Sequence, residues 1–404
     1  MKAVRKINAD ITWVGVDDRR LHLFENMFPL PHGVSYNSYV ISDEKTALMD
    51  TADESVLPQF IENVLYALQG RSLDYMVVDH MEPDHCSGIA RILEMFPACK
   101  MVATAKAFCF YDQMYNTKLP EERKILVKEG DSLSLGKHEL TFVMAPMVHW
   151  PEVMMSYDKT DKVLFSADAF GTFGAVDGNI FSDELGWNET WWEEARRYYT
   201  NIVGKYGPQV QAVLKKAAGL DIALVAPLHG PTWKGKDIGA FIERYDAWSS
   251  YRPEVKGSVA IFYGSMYGDT KDLAEMLACA LGERGVRGIR IYDVSETDKS
   301  YLISESFRSE YLVFAAPTYN NGLYPKMKEF IEDLSVLNFQ NRKCSVLGNG
   351  TWAPQSEKLM RALLCGMKNM DVSENTLIVR SRISDAQLPE LSDIADDIVS
   401  RLKA

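Results

Sequence analysis

Residues 75–86 read Tyr-Met-Val-Val-Asp-His-Met-Glu-Pro-Asp-His-Cys. An apolar run ends at Val78, and four metal-capable side chains, His80, Glu82, Asp84 and His85, follow almost at once. The run is short and β-branched, as expected of a buried strand, so these groups stand at a strand's carboxyl end. The same arrangement recurs along the chain. His149 follows an apolar run over residues 139–148, Asp168 follows one over 162–167, and His229 follows one over 222–228. Loops at the same end of packed sheets converge in space, so these groups can face one cavity.

A single histidine in such a place is ordinarily a hydrogen-bonded structural residue. The set argues otherwise. Seven ligands are too many for one tetrahedral ion and suit two metals that share a carboxylate. Asp168 is the natural bridge because it stands alone. His80 and Glu82 alternate toward one metal with His149, while Asp84 and His85 serve the other with His229. Three carboxylates with four imidazoles make an oxygen-rich, anionic site that suits an iron pair and offsets two divalent charges. Carboxylate-rich zinc pairs satisfy the same ligand count, so ligand type alone leaves both metals open. In two-metal sites the ions lie roughly 3.5–4 Å apart, which leaves room between them for a diatomic ligand.

The chain has 404 residues, 47% of them hydrophobic and 25% charged, and a formal net charge of -12. Its length predicts two domains. Its acidity argues against a nucleic-acid partner or an anionic membrane surface. No apolar stretch reaches the length of a membrane span, and the first residues lack a signal peptide's apolar core. The six cysteines are scattered, with no C-x-x-C pair. They read as reduced thiols in a cytoplasmic protein, and they exclude a rubredoxin-type iron centre on this chain.

The polar stretch 247–257 carries a proline and precedes an apolar strand, which places the boundary between domains 1–252 and 253–404. Beyond it, five apolar strands alternate with helical patterns, the signature of a doubly wound parallel α/β sheet. Before it, strands come partly in meanders and partly in crossovers, as in two sheets between helices. The first strand of the second domain opens into Ser265-Met266-Tyr267-Gly268-Asp269-Thr270, whose hydroxyls and backbone N–H groups form a phosphate cradle at a helix N-terminus. It is neither a Walker A loop nor G-x-G-x-x-G. Two further strand ends carry amides and an aromatic: Pro317, Thr318, Tyr319, Asn320, Asn321 and Gly322, then Gly348, Asn349, Gly350, Thr351 and Trp352. These groups suit the edge and face of an isoalloxazine ring.

H-x-E-x-D-H at 80–85, MVHWPE at 147–152, SADAFG at 166–171 and APLHG at 226–230, in that order, resemble the metallo-β-lactamase-like domain of the flavodiiron proteins. Zinc hydrolases of that fold typically read H-x-H-x-D-H, and here Glu82 replaces the second histidine. The three loops of the second domain resemble the flavodoxin pattern. The resemblance spans essentially the whole chain. It implies an N-terminal αββα sandwich with two irons bridged by Asp168, and a C-terminal flavodoxin-like sheet with FMN. It also implies four-electron reduction of O2 to water and/or two-electron reduction of NO to N2O. Electrons would come from an external donor, a separate rubredoxin or a reduced deazaflavin coenzyme, to a head-to-tail homodimer or a pair of such dimers.

The chain departs from the family at one place. Many members carry a histidine reaching the di-iron pocket where an ungapped count from Gly33 gives Glu25. This unsettles any O2-versus-NO preference borrowed from them and makes Glu25 a candidate near the metals. Tyr198 or Tyr199 and His22 are candidates for proton delivery, with Tyr199 taken as the site residue. The chief rival is a binuclear zinc hydrolase with an appended flavodoxin domain. A flavin-only electron carrier with a vestigial metal site is the second.

Overall fold

The structure is a computed structural model that describes residues 2–185 and 189–403. The chain forms two compact units, Met1–Tyr199 with Pro208–Tyr245, and Thr200–Gly207 with Asp246–Ala404.

The first unit holds two mixed sheets. One runs in the order Arg5–Lys6, Ile11–Trp13, Tyr39–Ser42, Thr46–Met49, Tyr75–Val77, Lys100–Ala103 and Lys124–Leu126. Its first four strands pair antiparallel as a meander, and the last four pair parallel through helical crossovers. The other sheet runs Ser132–Ser134, Glu139–Met144, Met154–Asp158, Val163–Phe165, Leu224–Ala226 and Trp233–Lys234. One apolar core draws Ile11, Tyr39, Val77 and Val102 from the first sheet and Leu140, Phe142, Met154 and Phe165 from the second, the packing of a β-sandwich. Helices Leu57–Leu68, Ile89–Met95 and Ala105–Tyr115 make the crossovers. Their ends are locally specified. Thr104 caps the third by accepting from Ala107 N at 3.2 Å, and Asn116 ends it in the left-handed region at φ 48°.

The second unit is a parallel sheet in the order Ile289–Asp293, Val255–Tyr263, Ser309–Tyr319, Arg342–Asn349, followed by Met370–Val372 and Leu377–Val379, both paired to Arg342–Asn349. This 2-1-3-4-5 order is doubly wound, with its topological switch between Val255–Tyr263 and Ser309–Tyr319. Ligands of such sheets sit at that crevice.

The stretch read as a linker is mostly built into elements. Helix Lys236–Ser249 and strand Val255–Tyr263 leave only residues 250–254 between them. Among the described residues, no helix is long and apolar enough to cross a membrane.

Candidate metal centre and flavin cavity

Every predicted ligand lies just past a strand. His80 and Glu82 follow Tyr75–Val77, and a short helix, Pro83–Cys86, opened by its proline, carries Asp84 and His85. His149, Asp168 and His229 follow Glu139–Met144, Val163–Phe165 and Leu224–Ala226. All seven are buried. The Asp168 turn is held from both sides of Phe170, whose N–H donates to Tyr245 Oη at 2.6 Å and whose carbonyl accepts from Trp233 Nε1 at 2.9 Å.

The structure brings the seven together as two groups: His80, Glu82, His149 and Asp168, and Asp84, His85 and His229. Asp168 Oδ2 lies 3.3 Å from His80 Nε2 and 3.0 Å from His149 Nε2. Its other oxygen, Oδ1, lies 3.3 Å from His85 Nε2 and 3.8 Å from His229 Nε2. Glu82 Oε2 stands 3.0 Å from His149 Nε2, and Asp84 Oδ2 stands 3.1 Å from His229 Nε2.

The donor set fits two cations. Both oxygens of Asp84 and Oδ1 of Asp168 are buried without a hydrogen bond, although imidazole nitrogens surround them. Such oxygens are costly to bury unless a cation meets them. His229 Nδ1 lies 2.7 Å from the Ser35 carbonyl, which can only accept, so Nδ1 donates and Nε2 is the nitrogen left to meet a cation. That Nε2 is 3.0 Å from His85 Nε2, a contact that needs a proton or a metal between them. The electrostatics agree. Burial alone would push Asp168 up, but the facing imidazoles of His80 and His85 outweigh it and hold the carboxyl well below its usual range. Burial likewise opposes charge on His149, yet Asp168 and Glu82 outweigh it and push the ring up to about 9. The pocket demands positive charge, and metal ions supply it by displacing those protons.

The remaining candidates separate. Glu25 sits with Asn26 and Met27 in the exposed three-residue tip of the hairpin Leu23–Phe24/Phe28–Pro29, with Glu25 and Asn26 at positive φ. Although Glu25 as a whole is exposed, its carboxyl end reaches Glu82, and the partial desolvation of that end together with the neighbouring carboxylate pushes it up to about 8. Tyr198, fully buried, packs on His229 at 5.5 Å between ring centroids, with its hydroxyl unpartnered. Tyr199 instead sets its ring edgewise on Tyr245 at 4.8 Å. His22 is exposed. Glu152 was not foreseen. Its Oε1 accepts from His80 Nδ1 at 2.8 Å, and the only hint in the sequence is an acid three residues beyond His149.

In the second unit a cavity of about 330 Å³ opens at the strand ends beside the topological switch. Ser265, Met266, Tyr267, Asp269 and Thr270, Pro317 to Asn321, and Asn349 to Trp352 line it. Gly268, Gly322 and Gly348 are not among the lining residues. Gly268 opens helix Asp269–Glu283 at φ 103°, and its N–H donates to Ser265 Oγ at 3.1 Å. Only glycine takes that backbone without strain. Asn320 and Asn321 turn a tight hairpin at positive φ. Gly348 allows close packing, since a Cβ there would lie 2.9 Å from Glu357 Cβ. Ser381, from the loop after the fifth strand, also lines the cavity and exchanges hydrogen bonds with Asn349 at 3.0 Å. A helix N-terminus with hydroxyls fits a phosphate dianion, and Tyr267 and Trp352, 93% and 65% exposed, offer flat faces for a ring.

A paired-metal pocket in one unit and a flavin-nucleotide cavity in the other define a two-cofactor redox protein. Known proteins narrow the class. Residues 34–230 match the ODP family beta lactamase model, and residues 261–368 match the flavodoxin model. The chain is 33% identical over 352 residues to an anaerobic nitric oxide reductase flavorubredoxin of Aeromonas hydrophila, covering 86% of this chain and 70% of that one. It is 32% identical over 377 residues to an uncharacterised protein of Methanocaldococcus jannaschii, covering 93% of each. Its structure is similar to the rubredoxin oxygen:oxidoreductase of Desulfovibrio gigas, with TM-score 0.91, 28% identity and coverage of 99% and 98%. The chain belongs to the flavodiiron protein family. It is therefore an oxidoreductase with FMN and di-iron cofactors, rather than a zinc hydrolase with a flavodoxin appendage.

Proposed function

We propose that the seven ligands hold two irons with Asp168 between them, and that the chain reduces O2 to water and/or NO to N2O with electrons received through FMN. The observation that carries this reading is the division of Asp168's two oxygens between two ligand groups. When bound, FMN and the iron pair supply storage for two electrons each, matching O2 + 4 e⁻ + 4 H⁺ → 2 H2O and, with two of them, 2 NO + 2 e⁻ + 2 H⁺ → N2O + H2O.

The chain's own groups do the rest. Glu82, Asp84 and Asp168 would offset the charge of the two cations. Phe24, Phe173 and Tyr198 wall the pocket around His229 and keep bulk water out. Protons must arrive at a dry site, and Tyr198 Oη and the Glu25 carboxyl are the groups placed to hold them. Glu25 replaces the histidine that many members carry, so its loss should alter proton supply and gas preference. Ser265, Thr270 and the helix N-terminus would hold the flavin's phosphate, and Trp352 and Tyr319 would offer their faces to its ring.

We further assign the electron donor to a separate rubredoxin or a reduced deazaflavin coenzyme, and the assembly to a head-to-tail homodimer or a pair of such dimers. We also propose 252/253 as the boundary between the cofactor-bearing domains, in the short stretch between helix Lys236–Ser249 and strand Val255–Tyr263. Six unpaired thiols suit a cytoplasmic protein. The test is stoichiometry on anaerobically purified protein. Two irons and one FMN per chain support the reading, whereas two zinc ions with no gas turnover overturn it.

A further inference from the structure

We propose that Glu152 is a positioning residue that fixes His80 for one metal and leaves the other metal alone. The inference rests on the two-iron reading and adds an asymmetry between the two positions.

The geometry is unusual for a buried acid. The Glu152 side chain has no exposure, and one oxygen, Oε1, accepts both from His80 Nδ1 at 2.8 Å and from Met81 N at 2.9 Å. A carboxylate only accepts, so the His80 proton must sit on Nδ1. Nε2 is then the nitrogen that a neutral ring would offer to a cation, and it is turned toward Glu82 Oε2 and Asp168 Oδ2, each 3.3 Å away. The second bond, to Met81 N, pins the carboxylate to the loop that also carries Glu82. The ring therefore has one tautomer and one orientation. The Glu152 oxygen Oε2 is buried with no hydrogen bond. A purely structural acid would be expected to satisfy both oxygens, because an unmet one is costly. The cost is offset where the charge strengthens a histidine's donation to a cation.

The second group is backed differently. His229 Nδ1 meets the neutral Ser35 carbonyl at 2.7 Å. The position served by His80, Glu82 and His149 thus has an anion behind one imidazole, and the position served by Asp84, His85 and His229 has a backbone dipole behind one of its two. The first should hold its metal through Glu152 and the second should not depend on it.

The test compares the iron-loaded, FMN-bound wild type with Glu152→Gln and Glu152→Leu. Iron release to a ferrous chelator is timed under anaerobic conditions, with circular dichroism and FMN content as checks on folding. Gln keeps both acceptor contacts and loses the charge, and Leu loses both. Outer-shell partners of this kind change metal affinity by about 10–100-fold. One iron per chain should leave about tenfold faster in the Gln variant and about a hundredfold faster in the Leu variant, with the other iron at its wild-type rate. On zinc-loaded wild type, nitrogen NMR should show His80 protonated at Nδ1. Unchanged release in the Gln variant, or equal acceleration of both irons, overturns the proposal. The Gln result decides even where the Leu variant does not fold. A wild type that never takes up two irons contradicts the two-metal reading instead.

Discussion

Asp168 meets His149 with one carboxylate oxygen, Oδ2 at 3.0 Å from Nε2, and leaves the other to His85 and His229. A side chain divided in this way would serve two ions at once. Replacing it should therefore cost both, whereas replacing a ligand of one group should cost one. Asp168→Ala is expected to fall from two metals per chain to fewer than one, and His229→Ala to about one, by elemental analysis with flavin content unchanged. Retention of one full metal by Asp168→Ala would show that the carboxylate is not shared.

Glu82 decides the oxygen content of the first group. Changing it to histidine restores the ligand pattern typical of zinc hydrolases and removes one anionic charge, so zinc should gain on iron. Expression with both metals supplied equally tests this by the iron-to-zinc ratio. An unchanged ratio would mean that ligand type does not govern the choice.

Tyr198 and Tyr199 are neighbours in sequence but not in role. Tyr198→Phe keeps the ring packing on His229 and removes only the buried hydroxyl. If that hydroxyl supplies a proton, gas-driven flavin reoxidation should slow by about 100-fold, the low end for a proton donor. Tyr199→Phe, whose ring lies against Tyr245, should leave the rate within about twofold. Equal effects would remove Tyr198 from proton delivery.

Those two tyrosines also mark where the sequence stops being legible. Helix Glu189–Tyr198 passes into a π-helical turn at Tyr199–Val203, and at that change of pitch Tyr198 packs on His229 while Tyr199 packs on Tyr245. Periodicity assumes a constant pitch. That the seven candidate ligands come together was readable because each follows a buried strand, and strand ends in a sandwich meet. Glu152 was not, because its bond to His80 joins residues 72 apart and exists only once the two sheets pack. Ser381 was missed for want of any glycine or aromatic beside it. The strands Arg5–Lys6, Ser132–Ser134 and Trp233–Lys234 have two or three residues each, too few to show an alternation. The doubly wound domain was the clearest, since its central strands are long, apolar and separated by helices.

His138 provides a pH signature away from the metals. It is buried, with Nδ1 2.9 Å from Asp158 Oδ2 and Nε2 3.2 Å from Asp10 Oδ2, while Asp161 lies nearby and Lys137 pairs with Asp10. Burial opposes its charge, but the hydrogen bonds to Asp158 and Asp10 outweigh it and raise its pKa. A raised pKa in the folded state contributes stability that is full below the unfolded value, about 6.5. That contribution is lost as pH rises through the folded value. Denaturant titrations should show this decline from pH 6.5 upward, and His138→Gln should flatten it. A wild-type curve no steeper than the variant's would contradict the assignment.

The flavin cavity makes a separable prediction. Trp352 is largely exposed, so its change to alanine should leave the midpoint of thermal unfolding of flavin-free protein nearly unchanged, as surface substitutions do within about 0.5 kcal/mol. FMN should nevertheless bind several-fold more weakly. Gly268→Ala, which forces a Cβ into φ 103°, should weaken FMN further at a strain cost of about 1–2 kcal/mol. Fluorescence titration with FMN measures both.

The most direct test of the whole account is a stopped-flow experiment on anaerobically reduced protein, mixed separately with O2 and with NO while flavin reoxidation is followed. The account predicts that at least one gas reoxidises the flavin far faster than it reoxidises free FMN, and that Asp168→Ala abolishes the advantage. Reoxidation no faster than that of free FMN, or unchanged after the metals are lost, would contradict it.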